Sequence, residues 1–289
     1  IRLPKQDSMS GASATGSRDC SRVRPNASTA GQTLRTFGAF LQAALVLALV
    51  AWLVWRGAEA MQYRWQWERV PRYLVRVVDG GWVWGPLMRG LGTTVQICAL
   101  AGLLTLVIGI GTAAMRLSRS FAARTLARGY LELIRNTPLL VQLFLFYFVI
   151  APIVGVDRFW AGVLCISFFE GSFASEIIRG GLLAVPRGQY EAAAAIGLDG
   201  LDRYRDVIIP QAVGLILPPL TGVLISLIKH SAILTVIAVA ELTTAGQNII
   251  ADTFMAFEIW FTVAGIYLAL TVSLSFAAGF VEARFNRGR

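Results

Sequence analysis

The chain has 289 residues, of which 56% are apolar and only 15% charged, against about a quarter charged in soluble domains. Its apolar residues gather in long blocks, which excludes a disordered or collagen-like chain and sets aside an ordinary soluble enzyme. The formal charge of +9 comes almost wholly from arginine in the gaps between those blocks, at headgroup positions rather than in the patch or stripe of a nucleic-acid module.

In chain order, residues 1–33 are rich in Ser, Gly, Ala, Thr and Arg without apolar periodicity, which predicts a disordered cytoplasmic tail. The tail lacks the short apolar run closed by small residues that marks a cleaved signal peptide. A membrane-spanning helix takes roughly 20 mostly apolar residues. The first such block covers residues 37–55 and ends on Trp52 and Trp55, suited to an interface. Residues 56–86 then form an outer segment with Trp65, Trp67, Trp82 and Trp84, expected to anchor at the membrane surface, part of it as a helix lying along that surface, with contact to an outer protein partner as the alternative. Further spans are predicted over residues 91–115, 139–152, 159–178, 213–228 and 259–281, with 231–258 a mixed segment. The third span is short and starts after Thr137-Pro138; the fifth is expected to be interrupted at Pro218-Pro219, either as helices that line cavities are or by a plain packing kink. With the N-terminus inside, Lys and Arg in the inner gaps outnumber those in the outer gaps roughly two to one, so both termini are predicted to be cytoplasmic.

Glu170 and Glu176 lie inside the fourth block, where an ionised side chain is expensive and points to function or to pairing. Glu170, midway along, is a candidate for a substrate path in which it attracts an ammonium group; the competing expectation is a paired or protonated glutamate that holds helices together. Phe173, Pro218, Pro219 and Lys229 are the other candidates for that path, Lys229 either meeting a carboxylate or snorkelling. Glu176 has Arg179 three residues on and is expected to form a structural pair with it.

A P-loop requires G-x-x-x-x-G-K-[ST], yet Lys5 is followed by Gln6 and Lys229 by His230, so the chain cannot be a P-loop ATPase by itself. The single histidine and the scattered Cys20, Cys98 and Cys165 offer neither a multi-histidine nor a C-x-x-C metal site. Catalytic signatures such as H-E-x-x-H and G-x-S-x-G are absent. An enzyme is therefore not expected, and no metal site is assigned.

Residues 185–210, between the fourth and fifth blocks, read as a short helix, a break and a second short helix. Residues 191–196 are mostly strong helix formers, Gly197 suits a left-handed stop, Asp199 can cap the second helix, and Pro210 ends that second piece or opens the next span. The alanine run leaves a smooth face that another protein can approach, with Glu191 as a single docking charge. On these residues alone, a docking surface and a plain polar turn stand about even.

Glu191-Ala192-Ala193, Gly197 and then Val207-Ile208-Ile209-Pro210 resemble the E-A-A, Gly, I-x-L-P signature of permease subunits of bacterial binding-protein-dependent ABC importers. Flanking runs resemble the polar amino-acid branch: Leu91-Gly-Thr-Thr94; Tyr130-Leu-Glu132 with Arg135, Thr137-Pro138 and Gln142; Ser175-Glu176 with Arg179-Gly-Gly181; Pro186, Gly188 and Gln189; and Lys229-His230-Ser231. Phe173 stands where that branch often has Tyr, His230 where Asn is commoner, and Glu170 where an acid is unusual. The resemblance covers about residues 87–284.

It implies an all-α, multi-pass transmembrane bundle: a type I ABC importer permease core over residues 87–284, its coupling loop at 185–210. Outside that core lie the tail (1–33), an extra span with its outer loop (34–86) and a short C-terminal tail (285–289). It implies that Arg187, Gly188, Glu191, Ala192, Ala193, Gly197 and Pro210 belong to a loop docking on an ATPase. The implied partners are an ATP-binding subunit dimer, a second permease chain (identical or paralogous), an extracytoplasmic amino-acid-binding protein and membrane lipid. ATP and Mg would be used by the partner ATPase, with no cofactor in this chain, and the location is the bacterial inner membrane. The function expected is ATP-driven import of a polar amino acid; the alternative is a proton-coupled secondary transporter that uses Glu170 and Glu176.

Overall fold

The computed structural model describes residues 28–60, 63–78 and 80–286. It falls into two units, Ile1–Arg64 and Trp65–Arg289. In the first, α1 (Ser28–Ala60) is one helix, long and apolar enough to cross a membrane, with side chains such as Leu45 and Leu47 exposed. It starts inside the segment expected to be a tail. No proline between Pro25 and Pro71 stops a helix there. The remainder of that expected tail, residues 1–27, lies outside the described residues.

The second unit opens with a helical turn at Trp67–Arg69, the short α2 (Pro71–Leu74) and an antiparallel hairpin of β1 (Val75–Val78) and β2 (Gly81–Trp84). A hairpin therefore replaces the surface helix expected in this segment. Val-Arg-Val-Val and Gly-Trp-Val-Trp favour strands, and Gly80 takes the left-handed conformation (φ 76°) that a tight connection needs. Val75 pairs with Trp84 and Val77 with Trp82, so these four side chains share one face, and Trp82 is 81% exposed on it.

Beyond the hairpin lie the helices α3 (Pro86–Leu117), α4 (Phe121–Arg135), α5 (Leu139–Leu145), α6 (Ala151–Val154) and α7 (Arg158–Ala184). Next come α8 (Arg187–Ala195), α9 (Gly200–Asp202), α10 (Ile209–Ser231), α11 (Leu242–Thr253) and α12 (Ala256–Asn286). Wide π-type turns at Phe146–Ile150 and Arg203–Ile208 join α5 to α6 and α9 to α10. Five helical segments are long and apolar enough to cross a membrane, and a sixth is obtained if α4 and the α5–α6 segment, bent by 109°, count as one. The segment 116–137, expected as a gap, is largely the 15-residue α4, and the mixed segment 231–258 contains α11. α12 runs on to Asn286, into the expected C-terminal tail, and residues 287–289 lie outside the described residues.

The core of this unit is the packing of α3 on α7. α3 buries Gly102, Thr105, Gly109 and Thr112 and exposes Leu103, Val107 and Ile110. α7 answers with buried Ser167, Gly171, Ala174 and Ser175. This pattern inverts that of a soluble helix, and the reason is physical: lipid gives apolar side chains no drive to hide, so small residues that let backbones approach make the interface. A Cβ on Gly109 would stand 2.9 Å from the Ala174 Cβ, and one on Gly171 2.7 Å from Ile108. Leu143, Ile166, Leu227 and Leu234 extend the core towards α5 and α10.

Candidate functional site

The loop between α7 and α10 is a folded unit. Gly197 has φ 84°, and Gly197 N–H and Leu198 N–H donate to Ala194 O (3.0 Å) and Ala193 O (3.1 Å), a paired stop that closes α8. Asp199 accepts from Leu201 N (2.9 Å) and Asp202 N (3.0 Å) and starts the next turn. Pro210 is the second residue of α10, directly after the wide turn at Arg203–Ile208. Arg187, Gly188, Glu191 and Ala192 are exposed, and Ala193 is buried.

This unit is fastened to both neighbouring helices. Tyr190 donates to Leu182 O on α7 at 2.9 Å, and its ring meets Tyr204 edge-on. Burial, and then the neighbouring Tyr204, push the Tyr190 hydroxyl above its ordinary range. Val185, Ile208 and Ala212 form a small core beneath it. At the tip, Ile196 and Leu201 are each 76% exposed on either side of Gly197. Motif and periodicity do not single out these two apolar side chains; their signal is an isoleucine and a leucine flanking a helix stop in a polar loop.

Within the bundle, Glu170 is 2% exposed, and its Oε1 lies 2.6 Å from His230 Nδ1 on α10. Phe169 packs edge-on against the His230 ring and tilts against Phe173. The His230 side chain is 38% exposed and the Glu170 side chain 3%, so the imidazole covers the carboxylate. Of the two expectations for Lys229, a carboxylate partner is not found among the described residues: Lys229 is exposed and its sequence neighbour His230 turns inward. One residue is 100° of helical rotation, enough to exchange the two faces.

Pro218 and Pro219 correct a second expectation. They lie inside a continuous α10 and do not break it, and both are exposed. A proline ring removes one hydrogen bond and crowds the preceding turn, but the strongly apolar helix on either side carries the register through. Phe173 stacks under Arg135, whose guanidinium carbon lies 5.3 Å from the ring centre. The Glu176–Arg179 pair is present at 3.1 Å and is larger than expected, since Arg116 and Arg135 also approach the Glu176 Oε1. Glu241, which no sequence motif marks, is buried and caps α11 through Thr243 N and Thr244 N, with Tyr267 donating to it at 2.8 Å. Among the described residues no group of His, Cys, Asp and Glu is arranged to hold a metal ion.

The sequence family described as binding-protein-dependent transport system inner membrane component matches residues 105–287. The glutamine transport system permease protein of Escherichia coli K12 is 38% identical over 203 residues, 69% of this chain and 93% of that protein. A probable glutamine ABC transporter permease protein of Bacillus subtilis is 35% identical over 194 residues, 66% of this chain and 88% of its own length. A crystallised amino acid ABC transporter with histidines superposes with a TM-score of 0.64 at 36% identity, covering 69% of this chain and 94% of that one. The inward-facing MetNI methionine ABC transporter, at 20% identity and a TM-score of 0.62, shares the fold.

Proposed function

The chain belongs to the family of binding-protein-dependent transport system inner-membrane components, and from that premise we propose that it forms the pore of an importer for a polar amino acid. The observation that carries the substrate class is the 38% identity to a glutamine permease across nearly that protein's whole length. In this reading two permease chains enclose the path, an ATP-binding subunit dimer hydrolyses ATP with Mg, and an extracytoplasmic binding protein delivers the amino acid. The α8–α9 unit is the docking surface for the ATPase: Ile196 and Leu201 enter an apolar groove, Glu191 meets a cation, and the fastening to α7 and α10 passes the movement inward. Both termini face the cytoplasm, the side of that loop. His230 faces the substrate, and Glu170 behind it fixes the ring. The proton-coupled alternative has no independent support, since Glu170 is engaged by His230 and Glu176 by three arginines.

The test is a mild-detergent pull-down from the native membrane. An ATPase subunit should copurify with the natural chain, be lost with Gly197→Glu, and be retained with Gly197→Asn, which tolerates a left-handed backbone. No ATPase with the natural chain would overturn the importer reading. Equal retention by both variants would remove this loop as the docking surface.

A further inference from the structure

Where α3, α4 and α7 meet, a polar cavity of about 330 Å³ is lined by Arg116, Arg128, Arg135, Glu132, Asn136 and Glu176. We propose that it binds the phosphate of an anionic phospholipid headgroup. The case begins with an imbalance of charge. Glu176 alone serves Arg116, Arg135 (3.7 Å) and Arg179 (3.1 Å), while one oxygen of Glu132 accepts from the Asn136 amide at 3.0 Å. Three guanidinium groups thus line the cavity against two carboxylates, and one of those carboxylates, Glu176, is shared with a fourth arginine, Arg179, outside the lining. Arg128 has no ion-pair partner among the described residues. Each guanidinium carries five donors in a fixed fork, so two carboxylates leave most of that capacity unused. A tetrahedral phosphate, with several acceptor oxygens around a negative centre, is the chemistry that fork fits.

The source of the phosphate is indicated by α4. Arg124, Arg128 and Arg135 lie along one edge of this helix, Ala127, Leu131 and Ile134 are buried, and Leu126 and Leu133 are exposed beyond them. α4 also meets the adjoining α5–α6 segment at 109°, so when that segment crosses the bilayer, α4 lies along its surface. A helix with an apolar edge and an arginine edge in that attitude puts its guanidinium groups at headgroup level. Glu176 and Arg179 sit near the end of α7 that leads into the loop carrying α8, so the cavity is at the same membrane face as that loop. A bound headgroup would tie α3, α4 and α7 together there.

The full chain in detergent tests this by thermal unfolding during titration with phosphatidylglycerol, phosphatidylcholine or inorganic phosphate at matched phosphate concentration. Phosphatidylglycerol should raise the melting temperature saturably, and the other two should not. Arg128→Gln, at an exposed position where packing is not at stake, should weaken the phosphatidylglycerol response roughly five- to tenfold in apparent affinity. Arg124→Gln removes the same charge from the same helix outside the cavity and should leave the response in place. The proposal is overturned if Arg124→Gln weakens it equally, if Arg128→Gln leaves it unchanged, or if inorganic phosphate or phosphatidylcholine stabilises the chain as well as phosphatidylglycerol does.

Discussion

Glu170 and His230 stand 60 positions apart in sequence and meet at 2.6 Å in the bundle. Each is visible alone in the sequence, one as an acid in an apolar block and the other as the single histidine in a position where the family commonly has asparagine. Their contact is not visible there, because apolar periodicity sets which face of a helix is buried but not which helix it faces. Taking away one partner of a buried pair leaves the other unsatisfied at a cost of about 1–3 kcal/mol, whereas replacing both avoids most of that penalty. Glu170→Gln and His230→Asn should therefore each lower thermal stability in detergent, and the double variant should lose less than the sum. Uptake assays with the same three variants separate packing from transport: recovered stability without recovered uptake would assign the pair to the substrate path. Full recovery of both would leave it a structural tie.

The long helices are legible at the scale of elements, because roughly 20 apolar residues in a row leave few alternatives in a chain of this composition. The shorter elements escape for the same reason: a search for long blocks does not see the hairpin at 75–84 or the amphipathic α4. Asp79-Gly80 between two β-branched and aromatic runs is the available hairpin signal. The inside-out pattern of α3 and α7 yields a further prediction. Gly109→Leu places a side chain where even a Cβ stands 2.9 Å from Ala174 and 3.3 Å from the Ser175 nitrogen. Overpacking of this kind costs about 1–3 kcal/mol, and backbone on the far side leaves little room to yield. The yield of monodisperse protein should fall sharply. Gly111→Leu is the control, since nothing lies within 4 Å of a Cβ there.

At the scale of the whole molecule, the loop over residues 185–210 and the tryptophan hairpin should lie on opposite sides of the membrane. With Cys20, Cys98 and Cys165 replaced by Ala, a cysteine at Gly188 should react with an impermeant maleimide only in inside-out vesicles, and one at Gly80 only in right-side-out vesicles. Labelling of both from one side would overturn the orientation drawn from arginine placement. The family is legible in the sequence because its Glu-Ala-Ala and Gly motif lies within one short stretch, Glu191 to Pro210. The lining of its path is not, since those residues come from separate helices.

The fastening of the α8–α9 unit also has a mechanical side. Tyr190 joins it to α7, and Ile208 and Ala212 join it to α10, so a load applied at the tip reaches both helices together. Those two helices carry Glu170 and His230, the first about 20 Å up its shaft at 1.5 Å per residue. The arrangement is a pair of tongs held by one grip. A pull on the grip that moves the two shafts unequally would become a shear across that 2.6 Å contact.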